Sequence, residues 1–378
     1  RSGTAATYPR GELIRGTNGA LYGITERGGN WDHGTVFRVG SDGAGYSIIH
    51  SFGGSPGDPA DPRAGVIEGR DGFLYGTTRL GGAGDHGAIF RLPRDGSNCQ
   101  VLHSFRGTQG SPADGAEPYA RLIEGADGML YGVASQGGTA DQGAVFRLGK
   151  DGSGYSVLRS FLGGNADGAT PASALLEAHD GVLYGVTYGG GPQGAGSVFR
   201  IHTDGSNYQV LHVFSSTAQS PANPWGALIQ ASDGRLYGTS YSGGAGGGTV
   251  FSLASDGTDL QVVVSLPANP SGGVNPIGSL IEAGDARLWG TSYQGGGAID
   301  SGTVFSVRKD GSDYQTHHAL AGATDEGSGP SGGLLGFADG VFYGVTTLGG
   351  RADSGSLFRI CSPSAVRIAN LSLNTPGT

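Results

Sequence analysis

The sequence predicts an all-β fold, a seven-bladed β-propeller with four antiparallel strands in each blade. Three observations support it: one motif occurs seven times, each repeat holds four short strand-like runs, and glycine and Asp-Gly pairs separate the runs. The motif is Leu-Tyr-Gly-x-Thr, a glycine pair, a polar loop and Gly-Thr-Val-Phe-Arg. Its aromatic residue returns at steps of 53, 56, 53, 53, 52 and 54 residues, as Tyr22, Tyr75, Tyr131, Tyr184, Tyr237, Trp289 and Tyr343. A nearly constant period of this order is typical of propellers and solenoids.

The four runs of the second repeat are residues 64–68, 73–78, 88–92 and 100–105, which are rich in β-branched and aromatic residues. Helix is almost absent from the prediction, because glycine interrupts every window with helical spacing. We predict one propeller domain over residues 1–373, followed by a linker-like end at 374–378. The predicted blades cover approximately residues 9–52, 62–105, 118–161, 171–214, 224–266, 276–320 and 330–373.

The connections between strands have two lengths. Asp-Gly pairs such as Asp71-Gly72 and Asp95-Gly96 join the first strand to the second and the third to the fourth, and such pairs form tight hairpin turns. We call the face with these turns the closed face. The second-to-third loops, such as 28–34, and the crossovers between blades, such as 53–62, are longer and vary between repeats. They are predicted to emerge on the opposite side, the open face.

Each predicted first strand follows a proline. The seven are Pro9, Pro62, Pro118, Pro171, Pro224, Pro276 and Pro330. Proline is tolerated at the first residue of a strand, where it removes no ladder hydrogen bond. In a propeller the first strands line the central channel, so these prolines mark its mouth.

The seventh repeat is irregular, because residues 355–359 are not followed by an Asp-Gly turn or by the usual fourth-strand motif. Residues 365–373 form the remaining strand-like run, and we predict that they supply the outer strand of blade seven. The ring would then close without a strand borrowed from the N-terminus.

Charge and composition exclude some classes of partner. The formal net charge is -9 and no run of Lys or Arg occurs, which argues against nucleic acid as a partner. No stretch approaches the roughly 18 to 20 apolar residues of a membrane span, so no membrane insertion is expected in this segment. Cys99 and Cys361 fall in blades two and seven, and we expect no disulfide between them.

Leu-Tyr-Gly-x-Thr-x-x-Gly-Gly, Gly-Thr-Val-Phe-Arg and Asp-Gly-Ser-x-Tyr-x-Val-Leu-His-Ser-Phe together resemble the Gly/Val-rich GloVer tandem repeat of bacterial secreted and surface-anchored proteins. The resemblance covers roughly residues 9–361. It implies an extracellular or cell-surface bacterial protein with a β-propeller region, and it is compatible with a C-terminal anchoring module. It implies no activity and no catalytic residue. The sequence departs from the pattern at Trp289, in the fourth strand of blade five and in that of blade seven.

Candidate ligand-binding residues stand at offsets where the repeats differ, since a residue present in most blades serves packing. The residue after each proline is Arg10, Arg63, Tyr119, Ala172, Trp225, Ile277 or Ser331, and the residue two further on is Glu12, Gly65, Arg121, Ala174, Ala227, Ser279 or Gly333. The predicted site at the channel mouth comprises Arg10, Glu12, Arg63, Tyr119, Arg121 and Trp225. Guanidinium groups bind carboxylates and aromatic faces bind sugar rings, so this set suits an acidic saccharide. The alternative is a solvated rim in which the arginines pair with Glu12 or Glu117.

A second variable offset, four residues after each repeated aromatic, carries three tyrosines in consecutive blades: Tyr188, Tyr241 and Tyr293. They form either a stacking track beside the mouth or a part of the packing between blades. His50, His103, His212 and His318 share one offset in the fourth strand and are interpreted as scaffold.

No catalytic residue is predicted, and no cofactor is expected apart from a weak candidate site for a divalent cation. That site would consist of Asp32, His33, Asp85 and His86 in equivalent open-face loops. A histidine there could also act as a general base, with Tyr119 as acid, in an eliminase acting on uronate chains. Asp-rich loops are explained equally well by turn formation.

The leading functional hypothesis is a secreted or cell-surface propeller that acts as a binding or scaffold module, with a glycan, acidic in particular, or a protein partner at the open face. One alternative is a polysaccharide lyase or glycoside hydrolase using the channel mouth. Another is a structural spacer in a surface assembly. Architecture alone does not decide between them.

Overall fold

The computed structural model describes residues 4–109, 113–217, 219–267, 272–297, 300–322, 326–337, 340–350 and 353–361. These residues form a seven-bladed β-propeller of antiparallel sheets, which confirms the predicted fold class. Blades one and two contain β1 (Thr4–Arg15), β2 (Leu21–Gly29), β3 (Thr35–Val39), β4 (Ser47–Ser51), β5 (Pro59–Ala60), β6 (Ile67–Glu68), β7 (Leu74–Thr78), β8 (Leu80–Gly81), β9 (Ala88–Leu92) and β10 (Gln100–Ser104). A 3-10 turn, Gly107–Gln109, follows them.

Blades three to five repeat this order. Their strands are β11 (Gly115–Ala116), β12 (Ile123–Glu124), β13 (Leu130–Ala134), β14 (Gln136–Gly137), β15 (Ala144–Leu148), β16 (Ser156–Ser160), β17 (Gly168–Ala169), β18 (Leu176–Glu177), β19 (Leu183–Thr187), β20 (Gly189–Gly190), β21 (Ser197–Ile201), β22 (Gln209–Val213), β23 (Pro221–Pro224), β24 (Ile229–Gln230), β25 (Leu236–Gly243), β26 (Gly246–Leu253) and β27 (Gln261–Pro267). The last of these is the fourth strand of blade five, which forms although its sequence departs from the motif.

Blades six and seven complete the ring. Their strands are β28 (Gly273–Val274), β29 (Ile281–Glu282), β30 (Arg287–Ser292), β31 (Gln294–Gly295), β32 (Thr303–Arg308), β33 (Gln315–Ala319), β34 (Gly327–Pro330), β35 (Leu335–Gly336), β36 (Val341–Gly349) and β37 (Ser356–Cys361). The predicted outer strand of blade seven, residues 365–373, lies outside the described residues.

The innermost strand differs from the prediction. In blade two the predicted run 64–68 contributes only Ile67–Glu68 to the ladder, and a separate pair, β5 with β8, forms before it. In blade one the same strand is continuous, but its register shifts between Arg10 and Ile14. The chain bends away from the sheet where it passes the channel mouth. Its backbone there is consequently free to contact the neighbouring blade.

Those inter-blade contacts are the same at all seven junctions. The residue before each proline has a positive φ, and its N–H donates to a carbonyl in the second-to-third loop of the preceding blade. The donors are Tyr8, Asp61, Glu117, Thr170, Asn223, Asn275 and Gly329, at 2.7 to 3.0 Å. Each proline ring also lies against a glycine of that blade, as Pro171 does against Gly143 and Pro62 against Gly34. The repeated proline and glycine are therefore two halves of one inter-blade joint.

A second set of contacts links the blades at the closed face. A side-chain carbonyl or carboxylate oxygen at the end of the first strand accepts an N–H from the first turn of the preceding blade, as Glu124 does from Arg70 at 2.8 Å. The acceptors are Glu68, Glu124, Glu177, Gln230 and Glu282. Within four of the blades the repeated tyrosine donates its hydroxyl to the aspartate of that turn, for example Tyr131 to Asp127 at 2.6 Å. This bond explains why tyrosine and Asp-Gly occur together.

The hydrophobic core lies between blades rather than inside them. Each of seven buried clusters combines side chains from two adjacent blades, and the repeated aromatic residues are within these clusters. The cluster between blades seven and one includes Leu13, Phe37, Tyr343 and Leu357. A propeller ring is thus stabilised by burial at every junction, the closing one included.

The ring closes by non-covalent contact between β1 and blade seven. Residues Thr4–Arg15 pair with β2 and form the inner strand of blade one. Tyr8 N–H donates to Ser354 O at 3.0 Å, and the Tyr343 hydroxyl donates to Ser41 O at 2.7 Å. Both cysteines are free. Among the described residues no helix has the length and apolarity to cross a membrane.

Candidate functional site

The candidate site is a pocket of about 260 Å³ at the open-face mouth of the channel. Three consecutive residues from each blade line it, beginning with the residue after the proline. The pocket brings together the six residues that the sequence predicts at the mouth: Arg10, Glu12, Arg63, Tyr119, Arg121 and Trp225. The period of the repeat alone predicts this grouping, because equivalent positions in a propeller face the same axis.

The middle residue of each triplet is small, as at Gly226, Ala120 and Ser173. A methyl group added at Gly226 would lie 2.5 Å from the carbonyl oxygen of Gly278 in the next blade. Adjacent strands therefore approach closely at this level, and the middle of the pocket wall is mainly backbone.

Glu12 and Arg121 lie one layer deeper than the rim. Arg121 Nε contacts the Glu12 carboxylate at 2.9 Å, and Gly333 leaves room for that carboxylate, since a methyl group there would lie 2.7 Å from Glu12 Oε1. Both residues also line a second cavity of about 500 Å³ near the closed face, together with apolar side chains such as Ile123 and Leu176. The ion pair thus borders both cavities and lies at the inner end of the mouth pocket, which we call its floor.

The rim of blades one to three carries a chain of ion pairs. Glu26 contacts Arg10 at 2.8 Å and Arg63 at 2.9 Å. Asp61 contacts Arg63 at 3.0 Å and Arg79 at 2.7 Å, and Arg79 approaches Glu117 at 3.5 Å.

The arginines predicted for a binding site do lie at the mouth, as the binding hypothesis requires. Each of them also contacts a carboxylate, as the alternative of a rim of paired charges requires. Together with the Arg121–Glu12 pair at the floor, four guanidinium groups face four carboxylates, and their formal charges cancel.

Asp61 and Glu26 lie deeper than the arginines that they contact. The Asp61 side chain is 2% exposed, whereas that of Arg63 is 21% exposed. Burial by itself would lower the pKa of Arg79, but hydrogen bonding to Asp61 and the charge of that carboxylate raise it above its usual value. The guanidinium therefore stays charged, and the buried Asp61 carboxylate holds both Arg63 and Arg79.

Aromatic side chains occupy other positions around the pocket. Arg63 lies over the Tyr119 ring at 5.9 Å. In blade five the indole of Trp225 meets the ring of Tyr188 edge-on, with centroids 5.2 Å apart. Tyr188 thus packs between blades and fixes the position of Trp225. Tyr241 and Tyr293 are half-buried, and none of the three tyrosines is among the residues that line the pocket.

The weak metal candidates are turn residues. Asp32 and Asp85 have positive φ, and the Oδ1 atom of each accepts an N–H at 2.8 Å, from Gly28 and Gly81 respectively. Asp141, Asp300 and Asp353 make the same bond in other blades. His33 and His86 lie against glycines of the following crossover. Within the described ranges no group of three or more His, Cys, Asp or Glu is placed to hold a metal ion.

The repeated histidines lie away from the mouth, in fourth strands. His103 Nε2 contacts Asp114 at 3.0 Å and His318 Nε2 contacts Glu326 at 3.3 Å. Arg159 occupies the same offset in blade three and contacts Asp167 at 2.6 Å. At this position, three blades thus have the same kind of contact: a basic residue of the fourth strand meets an acidic residue of the following crossover.

The sequence reasoning missed Glu26, Asp61 and Arg79 as members of the site. Glu26 and Arg79 did stand at the second variable offset, where opposite charges in adjacent blades signal a possible pair. Asp61 precedes Pro62, at a position where the other blades carry Tyr, Glu, Thr, Asn or Gly. Only the geometry of the bend shows that its side chain turns toward the mouth.

The fold and the pocket define a tandem-repeat β-propeller with one asymmetric channel mouth. The chain belongs to the Gloeobacter/Verrucomicrobia repeat family, whose model matches residues 1–188 and 171–372. The match confirms the resemblance that the repeated motif indicates, and the family takes its name from bacterial groups. No curated protein matches the chain.

Several solved structures share the fold. An oligogalacturonate lyase from Vibrio parahaemolyticus has a TM-score of 0.58 at 11% identity, with 96% of this chain and 92% of that chain covered. An oligogalacturonate lyase in complex with manganese has a TM-score of 0.59 at 12% identity, with coverages of 97% and 91%. A puromycin-hydrolyzing peptidase from Mycobacterium tuberculosis has a TM-score of 0.59 at 14% identity, but only 53% of that chain is covered. At these identities the likeness shows the fold alone.

Proposed function

We propose that this chain is a binding module of a secreted or surface-displayed bacterial protein, and that its channel mouth holds a ligand of the cell exterior. The ligand is a glycan or an exposed protein segment that approaches the open face. The extracellular location rests on the resemblance of the repeat to bacterial secreted and surface-anchored proteins.

The observation that carries the proposal is the asymmetry of the mouth. Junction contacts, turns and core residues repeat from blade to blade, whereas the residues after the prolines change from arginine to tyrosine, alanine and tryptophan. A protein that served only as a structural spacer would not require different side chains around its channel mouth. A small concave site with aromatic walls and a few fixed polar groups is the usual form of a ligand pocket.

The proposal is tested by retention on immobilised glycans. Wild-type protein should bind at least one glycan, and Trp225→Ala should weaken this binding about tenfold or more, as expected for an aromatic residue at the centre of a site. Trp31→Ala is the matched control, because Trp31 is an exposed tryptophan of the open-face loop 28–34, 47% accessible, and does not line the mouth pocket. Equal retention of both variants would remove the mouth as the binding site.

The same experiment separates binding from catalysis. New reducing ends or unsaturated products from a bound oligosaccharide would favour the lyase or hydrolase alternative over a binding module. Absence of retention on every glycan would leave the protein segment and the structural spacer as the remaining explanations.

A further inference from the structure

We propose that the mouth pocket binds the end of a neutral saccharide chain rather than an acidic one. The inference rests on the proposed function and specifies the ligand class of the same site. It reverses the preference for acidic sugars that the arginines suggest when they are considered without their partners.

The first argument is charge balance. Each arginine at the mouth or its floor contacts a carboxylate, and the four guanidinium and four carboxylate groups cancel. An anionic ligand would add a negative charge to a neutral network, in a protein whose formal net charge is already -9.

The second argument is the cost of exchanging partners. For Arg63 to bind a ligand carboxylate with both nitrogens, it would have to leave Asp61 or Glu26. Asp61 is almost fully buried, and a buried carboxylate that loses a cationic partner is strongly destabilised. Arg63 is therefore held as part of the wall and is not free to form a new ion pair.

What the network does offer is a fixed pattern of donors and acceptors. A guanidinium has five N–H groups, and the side chains of Arg10 and Arg121, 27% and 32% exposed, use Nε for their carboxylates. The remaining N–H groups can donate, and the carboxylate oxygens can accept. A hydroxyl group both donates and accepts, so a sugar with adjacent hydroxyls satisfies both halves of the network without changing its charge. The rings of Tyr119 and Trp225 supply the apolar contacts.

The shape of the pocket favours a chain end. Its volume of about 260 Å³ lies just below the usual range for ligand pockets of about 300–1,000 Å³. The Arg121–Glu12 pair lines both this pocket and the second cavity, at the inner end of the mouth. The pocket therefore has room for one terminal unit and its neighbour, with the rest of the chain directed away from the open face.

The test is calorimetric titration with neutral disaccharides (cellobiose, maltose, mannobiose and xylobiose) and with digalacturonate, each at low and at high salt. At least one neutral sugar should bind with an affinity that salt changes less than twofold, and Trp225→Ala should weaken it about tenfold or more while Trp31→Ala does not. Extending that sugar to a hexasaccharide should leave the affinity unchanged within about threefold.

Two results would overturn the inference but leave the proposed function intact. One is tighter binding of digalacturonate that weakens as salt rises, because the arginines would then act as free cations. The other is an affinity that keeps increasing to the hexasaccharide, which indicates a groove rather than an end site. If no sugar of either class binds, the proposal of a glycan-binding mouth fails as well.

Discussion

Glu26 shows how a single side chain determines the character of the mouth. Its carboxylate contacts Arg10 of its own blade and Arg63 of the next, so it holds two of the three predicted arginines. Without it both guanidinium groups would keep fewer partners, and the formal charge of the network would become positive. The same arginines can therefore belong to a neutral site or to an anion site, depending on one acid.

We expect Glu26→Gln to give the mouth affinity for an acidic saccharide. Glutamine retains the size and one acceptor oxygen, but the network gains one net positive charge near Arg10 and Arg63. Binding of digalacturonate should increase severalfold relative to wild type and should weaken as salt rises. Titration at two salt concentrations measures both effects.

Glu177→Gln is the control for this substitution. It makes the same change of charge at the closed face, where Glu177 accepts an N–H from Ala126. Blade five naturally carries Gln230 at the equivalent offset, with the same type of bond. If Glu177→Gln increases digalacturonate binding as much as Glu26→Gln does, net charge rather than the local network is responsible.

At the scale of the elements, the joint between proline and glycine matters more than the length of any strand. The inner strands supply few ladder bonds, since several consist of two residues. What fixes them is the proline of one blade against the glycine of the preceding blade, together with the hydrogen bond donated just before the proline. Substitutions at this joint should therefore act on stability more strongly than those in the turns.

We expect Gly143→Ala to destabilise the fold more than Gly128→Ala. Both glycines have positive φ, so in each variant the alanine backbone is strained by about 1–2 kcal/mol. At Gly143 the new methyl group would also lie 2.5 Å from Pro171 Cδ, and such overpacking adds about 1–3 kcal/mol. At Gly128 no atom lies within 4 Å of that methyl group. Urea unfolding measures the difference, and equal losses in the two variants would mean that the joint contributes nothing.

The sequence predicts the strands well where the ladder is regular and less well where the chain bends. Ala88–Leu92 matches the predicted run 88–92, because its alternation and flanking glycines are local signals. The inner strand of blade two is shorter than predicted, because the chain bends away from the sheet at the channel mouth, which Ala64 and Gly65 line, and joins the ladder only at Ile67. Likewise the position of Arg63 follows from the repeat period, whereas its partners Glu26 and Asp61 depend on how two blades approach each other.

For the whole molecule, the histidines between blades couple folding to pH. Burial lowers the pKa of His212, and it also lowers the pKa of His50, against the opposing charge of Asp58. In the unfolded chain a histidine binds a proton near pH 6.5. The unfolded state therefore takes up more protons than the folded state as the pH falls through this value, and the ring loses stability.

We expect the free energy of unfolding to decrease between about pH 7 and pH 5, above the range where carboxylates titrate. His212→Gln should reduce the slope of this dependence, because one of the responsible groups is removed. His33→Gln serves as the control, since His33 is exposed in an open-face loop. Urea unfolding at several pH values checks the expectation, and an unchanged slope in His212→Gln would contradict it.

The seven identical joints have a consequence for how such rings change in evolution. Every repeat carries a proline for the unit before it and a glycine for the unit after it, so a duplicated repeat arrives with both surfaces already matched. A gene duplication or deletion of one unit then yields a ring whose members still fit, and only the curvature must adjust. The number of units in a ring can therefore change by one at a time, and the variable residues at the hub can change in each unit separately.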